Sequence, residues 1–292
     1  MKCCTSLLLL LISLSACAQR HDENIHKSFK LPGAISQAKV VVANITGHIE
    51  VEGHEGQDVQ LELRKTLDAK SDKQLAEAKE EVSLGVIEEN NVLYLYMKTP
   101  CSSNQPLHFG DNGQVWVRSG WNNCQWRPQY YYKFDFVLKV PKAIKIQLST
   151  INDGDIVVKN VVGPIDVNNI NGAIKLENIA GATKAHTING DLDVTYTNNP
   201  SSASSYYTLN GDINAYYKKG LDAQLSFKSF NGEFFTNLPE LSVLPTKVKK
   251  EESRKGKGIN YKIGGESAMQ VRDGTVPLDF ETFNGNVYVR EN

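Results

Sequence analysis

The 292-residue chain has no excess of charge of either sign and no long hydrophobic run. Its 32 basic and 33 acidic residues give a formal net charge of −1, which argues against nucleic-acid binding driven by overall charge. The longest aliphatic stretch lies within residues 7–14, far short of the roughly 20 apolar residues that a membrane-spanning helix needs. We therefore expect no nucleic-acid partner and no transmembrane helix in the mature protein.

Motifs of the common enzyme classes are also absent from the sequence. It contains no His-Glu-x-x-His motif, no phosphate-binding glycine loop that leads into a helix and no Gly-x-Ser-x-Gly nucleophile elbow. We expect a non-catalytic protein without a metal or a cofactor. Asp153, Asp155 and Asp166 leave one alternative open, because such carboxylates could imitate the active site of a β-helical carbohydrate-active enzyme.

Cysteine is scarce, and three of the five cysteines lie in the first 17 residues. The basic start and the apolar residues 7–14 predict a signal peptide over residues 1–16. Leu14-Ser15-Ala16-Cys17 resembles the lipobox of bacterial lipoproteins, which implies that Cys17 becomes the lipidated first residue. Ala18 after this cysteine implies, by the same resemblance, a lipid-anchored protein of the outer membrane. A plain signal peptide with an incidental Cys17 is the alternative.

The segment that follows is predicted to be a lipidated tether over residues 17–38, because residues 18–30 are polar and without period. Cys101 and Cys124 are the two cysteines beyond it. An oxidising compartment predicts one disulfide between them, worth roughly 3 kcal/mol in the chain-entropy model. Two unpaired thiols are the alternative.

Residues 149–292 carry a glycine repeat that begins with a spacing of nine. The repeated segments have the form apolar-Asn-Gly-x-apolar, and apolar residues then alternate with polar ones, which predicts strands with one buried face. Asn-Gly also supplies the positive backbone dihedral angles of a tight turn. Equal spacing favours a β-solenoid over a sandwich or meander of hairpins. An amide ladder is then expected from the recurrent asparagines Asn171, Asn189, Asn210, Asn231 and Asn284.

The same alternation assigns faces to the repeat. Ile174 and Leu192 are predicted to point inward, and Lys175 and Asp193 outward. Lysine in such outward positions argues against a calcium-binding β-roll, since calcium takes oxygen ligands. A loop insertion over about 240–275 interrupts the repeat, and its run of basic residues predicts a solvated loop.

Residues 39–148 form an N-terminal β-rich part with a helix over about 71–84 and an aromatic hairpin over 101–132. Aromatic rings beside amides and a guanidinium suit a glycan or an envelope-protein ligand. Packing of these aromatics as a local core is the alternative. The candidate ligand surface consists of Trp121, Asn122, Trp126, Arg127 and Tyr130.

The Gly-x-Ile-x-Val start at Gly47, the helix, the Val140-Pro141 ending and the Asn-Gly-Asp repeats together resemble a bacterial family of exported β-strand repeat proteins of unknown function that carries the description "putative adhesin". The resemblance covers about residues 40–292 and implies no catalytic residues. We therefore expect an all-β protein, a β-solenoid with one short helix. Its expected function is that of an exported, lipid-anchored envelope module, adhesin-like or a scaffold. A purely structural envelope module without a ligand is the main alternative.

Overall fold

The computed structural model describes residues 19–102, 107–109, 115–117, 126–245, 248–252, 259–263 and 267–292. These contain one α-helix, α1 (Asp72–Glu81), and 25 strands. The strands of the N-terminal half are β1 (Gln19–Lys30), β2 (Lys39–Ala43), β3 (Ile49–His54), β4 (Asp58–Ala69), β5 (Ser83–Glu89), β6 (Val92–Lys98), β7 (Leu107–Phe109), β8 (Val115–Val117), β9 (Tyr131–Pro141) and β10 (Lys145–Thr150).

The strands of the repeat region are shorter. They are β11 (Ile156–Lys159), β12 (Ile165–Asn169), β13 (Ile174–Ile179), β14 (Thr183–Asn189), β15 (Leu192–Tyr196), β16 (Ser204–Asn210), β17 (Ile213–Tyr217), β18 (Ala223–Asn231), β19 (Phe234–Thr236), β20 (Leu241–Val243), β21 (Val248–Glu252), β22 (Ile259–Ile263), β23 (Ser267–Val271), β24 (Val276–Asn284) and β25 (Val287–Glu291).

Most strands belong to two large mixed sheets. Sheet I has the order β1-β4-β9-β3-β11-β13-β15-β17-β25-β19, and sheet II has the order β20-β23-β18-β24-β16-β14-β12-β10-β2-β6-β5. The central strands of both sheets run parallel, for example β11 with β13 and β12 with β14. The pairs β1–β4, β5–β6 and β18–β23 near the ends are antiparallel. From β10 to β19, successive strands alternate between the two sheets.

The core lies between the two sheets. Inward residues of sheet I, such as Ile174 and Leu192, are fully buried. The hydroxyl of Tyr196 in sheet I donates to Oγ1 of Thr183 in sheet II at 2.9 Å and lies 2.7 Å from the hydroxyl of Tyr206, also in sheet II. Buried hydroxyl groups therefore pair with each other across the interface rather than remain unsatisfied.

The predicted β-solenoid is wrong, because two mixed, open-edged sheets pack as a β-sandwich-like fold. A solenoid stacks its units in chain order, but here β24 lies between β16 and β18, and β25 lies between β17 and β19. Antiparallel strands also add to both ends of sheet II and to the β1 end of sheet I. The amide ladder expected from the repeat is nevertheless confirmed. Its side-chain bonds are 2.8–3.0 Å long and run in the spatial order Asn152, Asn171, Asn189, Asn210, Asn284 and Asn231.

The segment predicted as a flexible tether, residues 17–38, is mostly ordered, because Gln19–Lys30 forms β1 and pairs with β4 along its whole length. Apolar alternation could not reveal this edge strand, since Phe29 is its single fully buried side chain. Polar contacts stabilise β1 instead. Asp22 accepts hydrogen bonds from Arg20 at 2.9 Å and from Thr66 at 2.7 Å. These two bonds lower the pKa of Asp22 to about 2.

Helix α1 lies inside the predicted range 71–84. The hydroxyl of Ser71 accepts a hydrogen bond from the backbone N–H of Gln74 and so caps the N-terminus of the helix. Ala78 and Val82 are fully buried. The insertion over about 240–275 is not a single loop, because β20 and β23 extend sheet II and β21 pairs with β22.

Candidate ligand-binding face

The predicted aromatic ligand surface is only partly within the described residues. Trp121, Asn122 and Cys124 lie outside them, as does Cys17, so the disulfide from Cys101 to Cys124 and the lipidation of Cys17 stay predictions. Cys101 lies in a short 3-10 turn after β6. Arg127 is exposed.

Trp126 and Tyr130 are held by the end of α1. The indole N–H of Trp126 donates to Oε2 of Glu81 at 2.8 Å, and the hydroxyl of Tyr130 donates to the same oxygen. Tyr130 is buried. Its burial, and to a smaller extent the hydrogen bond with Glu81, raises the pKa of its hydroxyl. The ring of Trp126 packs 5.3 Å from that of Tyr132. These two predicted ligand residues therefore connect their segment to the C-terminal end of α1 through hydrogen bonds, and they do not form an exposed aromatic surface.

The hairpin formed by β7 and β8 covers part of the outer face of sheet II. Leu107 and Val115 are buried, and the hydroxyl of Ser149 in β10 donates to the carbonyl of Val115. Gln147 and Ser149 alternate with inward residues and so point outward, yet both are buried. The hairpin thus covers β10 on the outer face of sheet II. Trp116 in β8 is half-buried.

On the neighbouring strands β12, β14 and β16 of the same sheet, a cavity of about 350 Å³ opens. Two rows of outward side chains form its floor because the strands pair in register. Asp166 lies opposite Lys184, and Lys184 lies opposite Ser205; in the next row His186 lies opposite Asn168 and Tyr207. The polar lining therefore consists of Asp166, Asn168, Lys184, His186, Ser205 and Tyr207.

Burial shifts the pKa of two groups that line this cavity. It raises the pKa of Asp166, against an opposing hydrogen bond of 2.8 Å from the amide of Asn168. It also lowers the pKa of His186, whose ring stands edge-on to that of Tyr207 at 4.3 Å. Lys39 in β2 likewise has a pKa lowered by burial, and its ammonium donates to Oε1 of Gln147 at 2.5 Å. The face therefore offers both donors and acceptors and disfavours isolated charge.

Sequence reasoning missed this cavity. It considered Asp166 as one of three carboxylates that could imitate an enzyme site, and it did not single out Lys184. The available signal was their spacing: Lys184 follows Asp166 by two nine-residue intervals, which places the two residues side by side on adjacent parallel strands. In the part of the chain that the structure describes, no three His, Cys, Asp or Glu side chains converge as metal ligands. No helix within the same ranges is long and apolar enough to cross a membrane.

No family model matches the chain, and a search of curated proteins finds no relative. Among solved structures, a "putative cell adhesion protein" from Clostridium sporogenes is 11% identical, with a TM-score of 0.42 over 93% of this chain and 100% of that one. A "putative adhesin" from Bacteroides fragilis is 9% identical, with a TM-score of 0.38 over 91% and 97% of the two chains. A "putative lipid binding protein" from Parabacteroides distasonis is 12% identical, with a TM-score of 0.26 over 92% and 96%.

TM-scores below 0.5 do not establish a common fold, so these likenesses carry no function to this chain. Two of the three proteins share the adhesin or adhesion name with the family that the sequence resembles. Membership of that repeat family and lipoprotein status stay predictions.

Proposed function

We propose that the protein is an exported, non-catalytic binding module of the cell envelope that holds a glycan on the outer face of sheet II. The observation that supports this proposal best is the polar cavity on β12, β14 and β16. Its volume falls within the range of small-ligand pockets, about 300–1,000 Å³. The predicted aromatic ligand residues Trp121 and Asn122 belong to the chain that follows the β7–β8 hairpin.

The chemistry of the cavity suits a sugar better than an ion. Sugar hydroxyl groups both donate and accept hydrogen bonds. The lining supplies acceptors at Asp166, donors at Lys184, and at Ser205 and Tyr207 hydroxyl groups that can do both. The rings of His186 and Tyr207 add aromatic surface on whose faces sugar C–H groups can pack. A strongly charged ligand would be a poor match, since Lys184 and Asp166 lie opposite each other across paired strands.

The ligand test is a screen of envelope polysaccharide fragments by isothermal titration calorimetry. Replacing Tyr207 by Ala should weaken binding by about 1–3 kcal/mol while the melting temperature changes little, because Tyr207 is half-buried on the outer face. Trp121→Ala should weaken binding by a similar amount. Tyr131→Ala is the matched control, since Tyr131 is 45% exposed on sheet I.

Three outcomes would contradict this proposal. Absence of any glycan ligand would favour the purely structural envelope module. Binding that Tyr207→Ala leaves unchanged would place the ligand elsewhere. Release of reducing ends from a polysaccharide would show a carbohydrate-active enzyme.

Anchoring in the outer membrane through Cys17 is part of the same proposal. Two or more acyl chains, at about 0.8 kcal/mol per buried methylene, hold a protein on a bilayer far more firmly than one chain does. Cys17→Ala should abolish palmitate labelling and move the protein from the membrane fraction to the soluble fraction. Continued labelling and sedimentation of the variant with membranes would show that Cys17 is not the anchor.

A further inference from the structure

The segment from Phe230 to Thr236, called the terminal edge below, ends the stack of parallel strands. It comprises the end of β18, the Asn231-Gly232 turn and β19. Strand β19 is the outermost strand of sheet I. In sheet II, β23 pairs with β18 only from Ala223 to Phe227. Within the described residues, the terminal edge therefore has a strand neighbour on one side only, formed by β24 and β25.

The backbone of the terminal edge also directs N–H and C=O groups to the side that faces away from β24 and β25. The N–H of Gly285 donates to the carbonyl of Asn231 at 3.1 Å, and that of Val287 donates to Glu233 at 2.9 Å. Successive residues of an extended strand direct their N–H and C=O groups to opposite sides. Gly232 and Phe234, which alternate with these two acceptors, thus present their backbone groups to the open side.

Two polar ladders also end at the terminal edge. The amide of Asn231 donates to Oδ1 of Asn284 at 2.8 Å, as every preceding asparagine of the ladder donates to its neighbour. In the second ladder an acidic or amide oxygen accepts the next backbone N–H: Asp212 accepts from Asn286 at 2.7 Å, and Asn286 accepts from Glu233 at 3.0 Å. Asn231 and Glu233 are the last members, and both side chains are exposed.

Two aromatic stacks end there as well. The rings of Phe230 and Phe283 lie 4.8 Å apart and 5° from parallel, and those of Phe235 and Tyr288 lie 5.0 Å apart and 12° from parallel. Phe230 and Phe235 are the outer rings of these stacks. Phe230 is 74% exposed and Phe235 41% exposed, so both rings remain accessible at the terminal edge.

We propose that the terminal edge binds an extended segment of a partner protein, which adds to it as a parallel strand. The segment carries the pattern aromatic-Asn-Gly-Asp/Asn-apolar. The two interior boundaries nearest to it, between Asn189 and Asn210 and between Asn210 and Asn284, are made by the same four contacts: a backbone ladder, an amide bond, an acid-to-N–H bond and apolar side chains in register. The terminal edge offers all four, which is the chemistry of strand addition at a sheet edge.

A folded second copy does not supply this pattern at the opposite ends of the sheets. Those ends are β1 in sheet I and β5 in sheet II, both antiparallel to their neighbours and both without an Asn-Gly pair. The partner is therefore a different polypeptide with an accessible extended segment. This binding surface is separate from the glycan cavity, and the two can fail independently.

The test uses the full chain and a fluorescein-labelled synthetic peptide with the sequence of residues 281–289, the segment that covers the inner side of the same strands. Fluorescence anisotropy should show saturable binding. Phe230→Ser should weaken it about five- to tenfold, because a ring stack is worth about 0.5–1.5 kcal/mol beyond the area it buries. Val243→Ser is the matched control, because Val243 is 78% exposed on β20. Tyr207→Ala should leave peptide affinity unchanged.

The peptide itself provides a second measurement. Exchanging its Asn-Gly pair for Ala-Ala should abolish binding, because a Cβ at Gly285 lies 1.9 Å from the carbonyl oxygen of Gly211 in the equivalent contact within the chain. Absence of binding, or equal binding to the Phe230→Ser variant, would overturn the proposal. Light scattering that shows dimers dissociated by Phe230→Ser, with no peptide binding, would overturn it in favour of a second copy.

Discussion

Replacing Ile174 by Asp should destabilise the protein by about 3–5 kcal/mol or prevent folding. Ile174 in β13 and its cross-strand neighbour Leu192 in β15 are both fully buried between the two sheets. A carboxylate there loses its hydration and gains no cationic partner. Denaturant unfolding followed by circular dichroism measures the loss. If the Asp variant does not fold, Ile174→Ala takes its place. We expect this variant to lose about 2–5 kcal/mol of unfolding free energy, which the same measurement can quantify.

The neighbouring residue provides the control. Lys175 points outward, with 53% of its side chain exposed, and its ammonium lies 2.7 Å from a carboxylate oxygen of Glu177. An exposed ion pair of this kind contributes about 0–1 kcal/mol. Lys175→Ser should therefore change the free energy of unfolding by no more than about 0.5 kcal/mol. If it cost as much as Ile174→Asp, the inward and outward faces of β13 would be wrongly assigned.

Local structure was predictable where the sequence repeats. Alternation placed Ile174 and Leu192 inside, and the recurrent asparagines predicted the amide ladder. The helix expected over about 71–84 contains α1. Each of these features depends on residues within one strand, turn or helix end, so local patterns contain the necessary information.

The order of the units was not predictable in the same way. A nine-residue period describes a strand and a turn, but it does not say which unit lies beside which, and the last unit is inserted between two earlier ones. Strand β1 was missed because its backbone bonds and polar contacts, not buried apolar residues, hold it in place. The cavity was missed for a related reason: its residues come from three strands whose neighbours are known only once the sheets are formed.

The repeated glycines have a second cause besides the one the sequence suggested. Asn-Gly turns predicted positive backbone dihedral angles, and Gly190, Gly211 and Gly285 have a positive φ but Gly172 does not. What they share is close packing. A Cβ on Gly172 would lie 2.2 Å from the carbonyl oxygen of Gly154, and one on Gly190 would lie 2.3 Å from that of Gly172. Successive turns therefore approach each other more closely than any side chain permits.

Gly172→Ala should consequently cost about 3 kcal/mol, at the upper end for overpacking, because the atom in the way is backbone and cannot rotate aside. Gly220→Ala is the matched control: nothing lies within 4 Å of a Cβ there, and its φ of +87° costs a non-glycine residue only about 1–2 kcal/mol. Thermal and denaturant unfolding of both variants measure the difference. If Gly172→Ala were the milder change, close turn-to-turn packing would not be the reason for the glycine repeat.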